Sequence, residues 1–198
     1  MAKTRKRSEF HTLKIILVRH GQAGGEVRLG EVGAPLTQLG EKQATRVAKR
    51  LSEERFEHIY TSDMSRAFHT AKAIREFHKR RPFTVTKEIQ EINGSMNLPG
   101  RAPEGKVVQE EIRKRRTGIE KFAKDLIKKH RWDDQILIVA HGNLIRHLVS
   151  VLADLNPKRS LRFETSNTSM NEVRFLNGKF LWLQRTNDLR HLLPRQVS

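Results

Sequence analysis

Leu13-Lys14-Ile15-Ile16-Leu17-Val18-Arg19-His20-Gly21 is a run of apolar residues that delivers an arginine, a histidine and a glycine in succession. A short apolar run closed by a turn former reads as a buried strand. Arg19 and His20 then fall at its carboxyl end, where open α/β sheets bind ligands. Gly21 lets the backbone turn sharply, and an arginine beside a histidine suits an anionic group next to a nucleophile or base. Taken alone, the tripeptide reads more readily as a surface charge followed by a satisfied core imidazole.

The pattern returns in Gln135-Ile136-Leu137-Ile138-Val139-Ala140-His141-Gly142. Two such strands in one sheet would bring both histidines to the same edge. Between them, Thr37 is placed to cap a helix running to about Leu51, with Gly40, Ala44, Val47 and Leu51 on one face. Gly40 on that stripe indicates close packing against the first strand. Residues 56–62 read as a second strand, and Asp63-Met64-Ser65-Arg66 opens a second helix, with Ser62 as N-cap and Asp63 at the positive end of the dipole. Arg66 in that first turn opposes the macrodipole. An anion shared with the helix amides would account for it, and a plainly exposed arginine is the alternative.

A short strand at 83–86 precedes an irregular stretch at 88–100. A long helix at 104–130 follows, with Val108, Ile112, Ile119, Phe122 and Leu126 on its apolar face and Gly118 as a weak point. The helix after His141 buries Leu144, Ile145, Leu148, Val149 and Leu152 and ends before Pro157. Stretches 169–175 and 179–185, joined by Asn177-Gly178, form a hairpin. The predicted fold is α/β: a three-layer α/β/α sandwich with a mostly parallel sheet and helices on both faces. A basic flexible arm at 1–10 is expected ahead of a single domain at 11–198.

The 198 residues are enough for one well-buried core. No apolar stretch approaches the ~20 residues of a membrane helix, so no membrane span is expected and the chain is read as soluble and cytoplasmic. The absence of cysteine excludes disulfides, thiol nucleophiles and thiolate-held metal, and the nine histidines are not spaced as zinc ligands. The net charge of +17, from 39 basic and 22 acidic residues, draws anions in general: phosphorylated metabolites, phosphoproteins, nucleic acid or an anionic surface.

Taken in order, Arg19-His20-Gly21, Pro35-Leu36-Thr37-Gln38-Leu39-Gly40, Thr61-Ser62 with Arg66, an acidic loop and Ala140-His141-Gly142 resemble the histidine phosphatase superfamily, phosphoglycerate mutase-like, on its phosphatase branch. The resemblance runs from about Lys14 to Leu192. It implies that His20 attacks phosphorus to form a phosphohistidine, while Arg19, Arg66 and a protonated His141 hold the phosphoryl oxygens. The residue types suit that chemistry, since neutral imidazole is a nucleophile near pH 7 and guanidinium forks match pairs of phosphoryl oxygens. The resemblance requires no metal and no cofactor. It places a catalytic acid in the loop after the third strand, where Glu91 is favoured over Glu88 because it lies nearer Gly94.

The chain departs from the family at Gln22-Ala23, in lacking an asparagine near Gly24-Gly25-Glu26, and at Ser95-Met96-Asn97-Leu98-Pro99-Gly100. These departures, and the short loop between Gly21 and Pro35, favour hydrolysis over transfer. Asn167, Thr168 and Ser169 resemble a family segment near the pocket, and a capping or turn role explains them equally. The expected substrate is a phosphorylated small molecule or a phosphoprotein. Two rivals stand beside this reading: a catalytically weak binder of phosphorylated partners, and a nucleic-acid-associated protein acting through the arm and the basic face around Arg113, Lys114, Arg115 and Arg116. Oligomeric state is not legible.

Overall fold

The first apolar run becomes strand β1 (Thr12–Arg19), and its alternation buries both sides of the sheet. Ile15 and Leu17 belong to one core cluster, while Ile16 and Val18 belong to the other. In the computed structural model, residues 11–27, 29–92, 105–130, 133–155 and 163–198 are described. The expected arm, Gly94 to Gly100 and Pro157 lie outside them.

Helix α1 (Gln38–Arg50) starts where Thr37 Oγ1 accepts the Gly40 N–H, as its sequence predicts. It is followed by β2 (His58–Ser62), α2 (Ser65–Arg75), β3 (Phe83–Thr86), α3 (Lys106–Lys129), β4 (Gln135–Ala140), α4 (Gly142–Leu152), β5 (Met170–Leu176) and β6 (Lys179–Asp188). The strands form one six-stranded sheet in the order β3-β2-β4-β1-β5-β6. The first four strands pair in parallel; β5 and β6 join antiparallel through Asn177 and Gly178, whose φ values of 47° and 81° suit a tight hairpin turn.

On one face, Val47, Ala48 and Leu51 at the end of α1 meet Ala71 and Ile74 of α2 over Ile16, Val18, Leu137 and Val139. On the other, Ile119, Phe122 and Leu126 of α3 and Leu144, Ile145 and Leu148 of α4 cover Ile15, Leu17, Ile136 and Ile138. This is the α/β/α sandwich with a mostly parallel sheet.

Three local expectations change. The second strand begins at His58, not at 56. Ser62 is not the cap of α2; Met64 holds that position with no side-chain cap bond. Val108 is 36% exposed rather than part of the core face of α3. The 24-residue α3 is about 36 Å long, whereas eight-residue β1 spans about 26 Å, so the helix is longer than the strand it packs over, and its first residues, 106–109, are exposed.

Candidate active site

Strand register assembles the site. Arg19 pairs with Ala140 across β1 and β4, so the next residue on each strand, His20 and His141, sit side by side, and the His20 N–H still bonds Ala140 O at 2.9 Å. The imidazoles lie edge to face with centroids 5.1 Å apart. Thr61 of β2 pairs with Val139, which brings Ser62 alongside, and Ser62 Oγ lies 3.0 Å from His141 Nε2. Helices α2 and α4 both start at these strand ends, so two N-termini bring backbone donors and positive partial charge to the edge that carries both histidines.

His20 has one ring tautomer dictated by its neighbours. Nδ1 lies 2.7 Å from Gly21 O, an acceptor only, so Nδ1 carries the proton and Nε2 keeps its lone pair. Arg66 Nε donates to that Nε2 at 3.0 Å. Burial, with Arg66 and Arg19 adding to it against the Gly21 bond, pushes His20 down to about 3, so the ring is neutral throughout the ordinary pH range. Arg19 donates to Thr165 O at 2.6 Å, while its buried Nε has no hydrogen-bond partner.

His141 differs from the expectation of a charged donor. Burial first, then His20, Arg66 and Arg19, hold it well below its ordinary value, so in the free protein it is neutral. Ser62 Oγ accepts the Met64 N–H at 3.2 Å. Only by turning its own proton to His141 Nε2 does this buried hydroxyl leave no donor unspent. His141 Nδ1 then carries a proton and has no protein partner. A neutral His141 thus still presents a donor.

The structure separates the two candidate acids. Glu91 Oε1 accepts the Ile92 N–H at 3.0 Å and the Leu144 N–H at 3.2 Å, which sets the carboxyl at the N-terminal turn of α4. Burial raises its pKa, against those two amides and against Arg66 and Arg19. Glu88 is exposed and its carboxylate is bonded by Thr86 Oγ1. Asp63 does not serve the α2 dipole as expected; its carboxylate receives Gln90 Nε2 at 2.8 and 3.0 Å.

Supports missed in the sequence surround these groups. Thr70 Oγ1 accepts the Gly21 N–H at 3.1 Å and donates to Arg66 O at 2.7 Å. Gln43 Oε1 accepts the Gln22 N–H at 2.7 Å. Both are fully buried polar residues inside apolar helical stripes, and that interruption was the available signal. Asn167 Nδ2 and the Thr168 N–H both donate to His20 O, at 2.9 and 3.2 Å. Gly40 packs against the turn after β1 so closely that a Cβ there would meet Gln22 O at 2.0 Å. Among the described residues, no group of three or more His, Asp or Glu is placed to hold a metal ion, and no helix is long and apolar enough to cross a membrane.

The model of the histidine phosphatase superfamily (branch 1) matches residues 15–97 and 96–188. The probable phosphoglycerate mutase GpmB of Yersinia enterocolitica is 30% identical over 212 residues, covering 91% of this chain and 95% of that protein. Among solved structures, a putative alpha-ribazole-5'-P phosphatase from Escherichia coli superposes with a TM-score of 0.70 at 17% identity, over 89% of this chain and 96% of that one. The phosphoserine phosphatase of Entamoeba histolytica, solved with phosphoserine, gives 0.68 at 23% identity, over 91% and 100%. The strand ends that unite the two histidines are thus those of a known architecture, and the chain belongs to the histidine phosphatase superfamily.

Proposed function

We propose that the protein is a metal-independent phosphomonoesterase that works through a phosphohistidine on His20. The observation that carries this reading is the fixed tautomer of His20: a neutral ring with its proton directed at Gly21 O and its Nε2 lone pair beside the Arg66 guanidinium. The lone pair attacks phosphorus, the ester P–O bond breaks, and the departing alkoxide takes the proton of Glu91. Glu91, now ionised, removes a proton from water, whose oxygen attacks the phosphohistidine and breaks the N–P bond. Charge gathering on the phosphoryl oxygens is met by Arg19, Arg66 and the His141 N–H, and the Gly21 carbonyl stabilises the ring as it becomes cationic. Two guanidinium groups supply the charge that a metal would otherwise bring.

Quenching with alkaline denaturant during turnover of an aryl phosphate is expected to trap a phosphoryl group that is base-stable, is lost on later acid treatment and maps to His20, with EDTA leaving the rate unchanged. A trapped phosphoserine, no adduct at all, or strict dependence on a divalent ion would sink the mechanism. The relatives named as probable phosphoglycerate mutases support a second reading, transfer to a second alcohol. Added phosphoglycerate separates the two: hydrolysis releases inorganic phosphate in step with alcohol, whereas transfer leaves phosphate release behind it.

The raised pKa of Glu91 gives the descending limb of the pH profile. A carboxylic acid donates only while protonated, so activity on alkyl phosphates should be highest on the acid side and fall as pH rises through the Glu91 value. Glu91→Gln is expected to remove that limb and to slow alkyl phosphates on the order of 10²-fold or more. Aryl phosphates, whose leaving groups need no proton, should lose much less at the first step. Equal losses for both substrate types in the rate of the first, phosphorylating step would assign the acid elsewhere.

A further inference from the structure

Two supports of the nucleophilic loop converge on one short segment of the chain. Gln43, which takes the Gln22 N–H, donates its own Nε2 to Gln196 O at 2.6 Å and to Ser198 Oγ at 3.0 Å. Asn167, which donates to His20 O, gives its backbone N–H to Ser198 O at 3.1 Å, and its Oδ1 accepts from Ser198 Oγ at 3.3 Å. The segment is itself ordered by a 3-10 turn at Pro194–Gln196, in which Gln196 Oε1 accepts the Leu193 N–H at 3.0 Å. Gln196 and Asn167 are buried, and Gln43 is fully so.

We propose that Gln196–Ser198 act as a positioning clasp, which holds His20 through Asn167 and Gln22 through Gln43; the proposal rests on the phosphohistidine reading of the site. The physical need is local. The parallel ladder of β1 ends with the bond from the His20 N–H to Ala140 O, and beyond it the backbone turns at Gly21. The His20 carbonyl is then held by Asn167 Nδ2 beside the Thr168 N–H, and the Gln22 amide finds its acceptor on the Gln43 side chain. A side-chain amide that is itself free to rotate is a poor anchor, and the clasp occupies the far side of both amides. It touches none of Arg19, Arg66 or His141 through any of these bonds, so it bears on the angle and tautomer of the nucleophile rather than on anion affinity.

The test compares the full chain, a chain lacking 196–198, Ser198→Ala and Ser198→Thr with an aryl phosphate. The truncated chain is expected to lose on the order of 10- to 10²-fold in kcat, the scale of a small misplacement of a reacting group. The inhibition constant of inorganic phosphate should stay within about twofold, since no phosphate contact is removed. Ser198→Ala should lose several-fold, and Ser198→Thr, which keeps the hydroxyl, should recover it. Nitrogen-15 NMR of the histidine rings supplies a readout independent of turnover: a single Nδ1–H tautomer for His20 in the full chain and mixed tautomers after truncation. Unchanged kcat with an unchanged His20 tautomer in the truncated chain overturns the clasp, as does a loss that merely tracks the unfolded fraction seen by circular dichroism. If the intact chain turns over no phosphate ester, the phosphohistidine reading fails, and the tautomer comparison still decides the clasp.

Discussion

Replacing His20 with alanine is expected to lower kcat/KM for an aryl phosphate by on the order of 10⁴-fold or more, without unfolding the protein. The expectation follows from the uniqueness of the Nε2 lone pair. His141, the nearest ring, turns its Nε2 to Ser62, so it does not substitute as nucleophile. What remains in the variant is the proposed anion cradle of Arg19, Arg66 and His141, which should still bind inorganic phosphate. The structural cost falls on Arg66 Nε, which loses its acceptor, and on Gly21 O, which loses the Nδ1–H; a partly buried group left unmatched costs about 1–3 kcal/mol. Assays at 25 °C with circular dichroism alongside separate chemistry from folding. A folded variant that keeps a tenth of the activity would remove His20 from the mechanism. Arg66→Ala, which strips a preorganised donor and leaves the nucleophile, should lose about 10²- to 10³-fold.

The second large effect is on stability in acid. Seven of the nine histidines are held below their ordinary value of 6.5, with burial the leading cause in every case. For a group whose folded value is depressed, the stabilising contribution is complete above its unfolded value and is lost as pH falls toward the folded one. His20, at about 3 in the folded protein, and His147, at about 4, are 5% and 0% exposed. At about 1.4 kcal/mol per unit, each withdraws on the order of 3 kcal/mol between pH 6.5 and pH 4. Asp188, held to about 2 chiefly by Arg190, adds a further loss of the same sign at lower pH, whereas Glu91, raised by burial, works the other way. Against a total of about 5–15 kcal/mol, the two histidines alone remove much of the margin.

The urea midpoint is therefore expected to fall steeply from pH 7 to pH 4.5. His147→Leu should flatten that fall by about one proton's worth, because His147 packs between α3 and α4 with its nearest carboxylate, Glu120, at 3.8 Å. A midpoint that stays level over this interval would show that the histidines titrate alike in folded and unfolded chains. The candidate site thus carries its own acid lability: the burial that keeps His20 a free base is the same burial that opposes its protonation.

Much of this architecture was legible beforehand, because the decisive signals act over a few residues. Alternating apolar side chains in two runs, each closed by His-Gly, specify strands buried on both faces. Thr37 three residues before Gly40 specifies a helix start, and Asn177-Gly178 specifies a hairpin. Those elements, their order and the five matching motifs determined the fold, the family and the pairing of His20 with His141. Tertiary structure alone decided the rest. Glu91 and Glu88 are equivalent until packing buries one against α4 and leaves the other in solvent. Ser62 reads as a helix cap until β2 aligns with β4 and turns it to His141, 79 residues away. Gln43 and Gln196 meet across 153 residues. Local periodicity carries no information about such partners. Only the closing of long loops around a shared sheet sets which buried polar groups face one another, and so which charge states the site adopts.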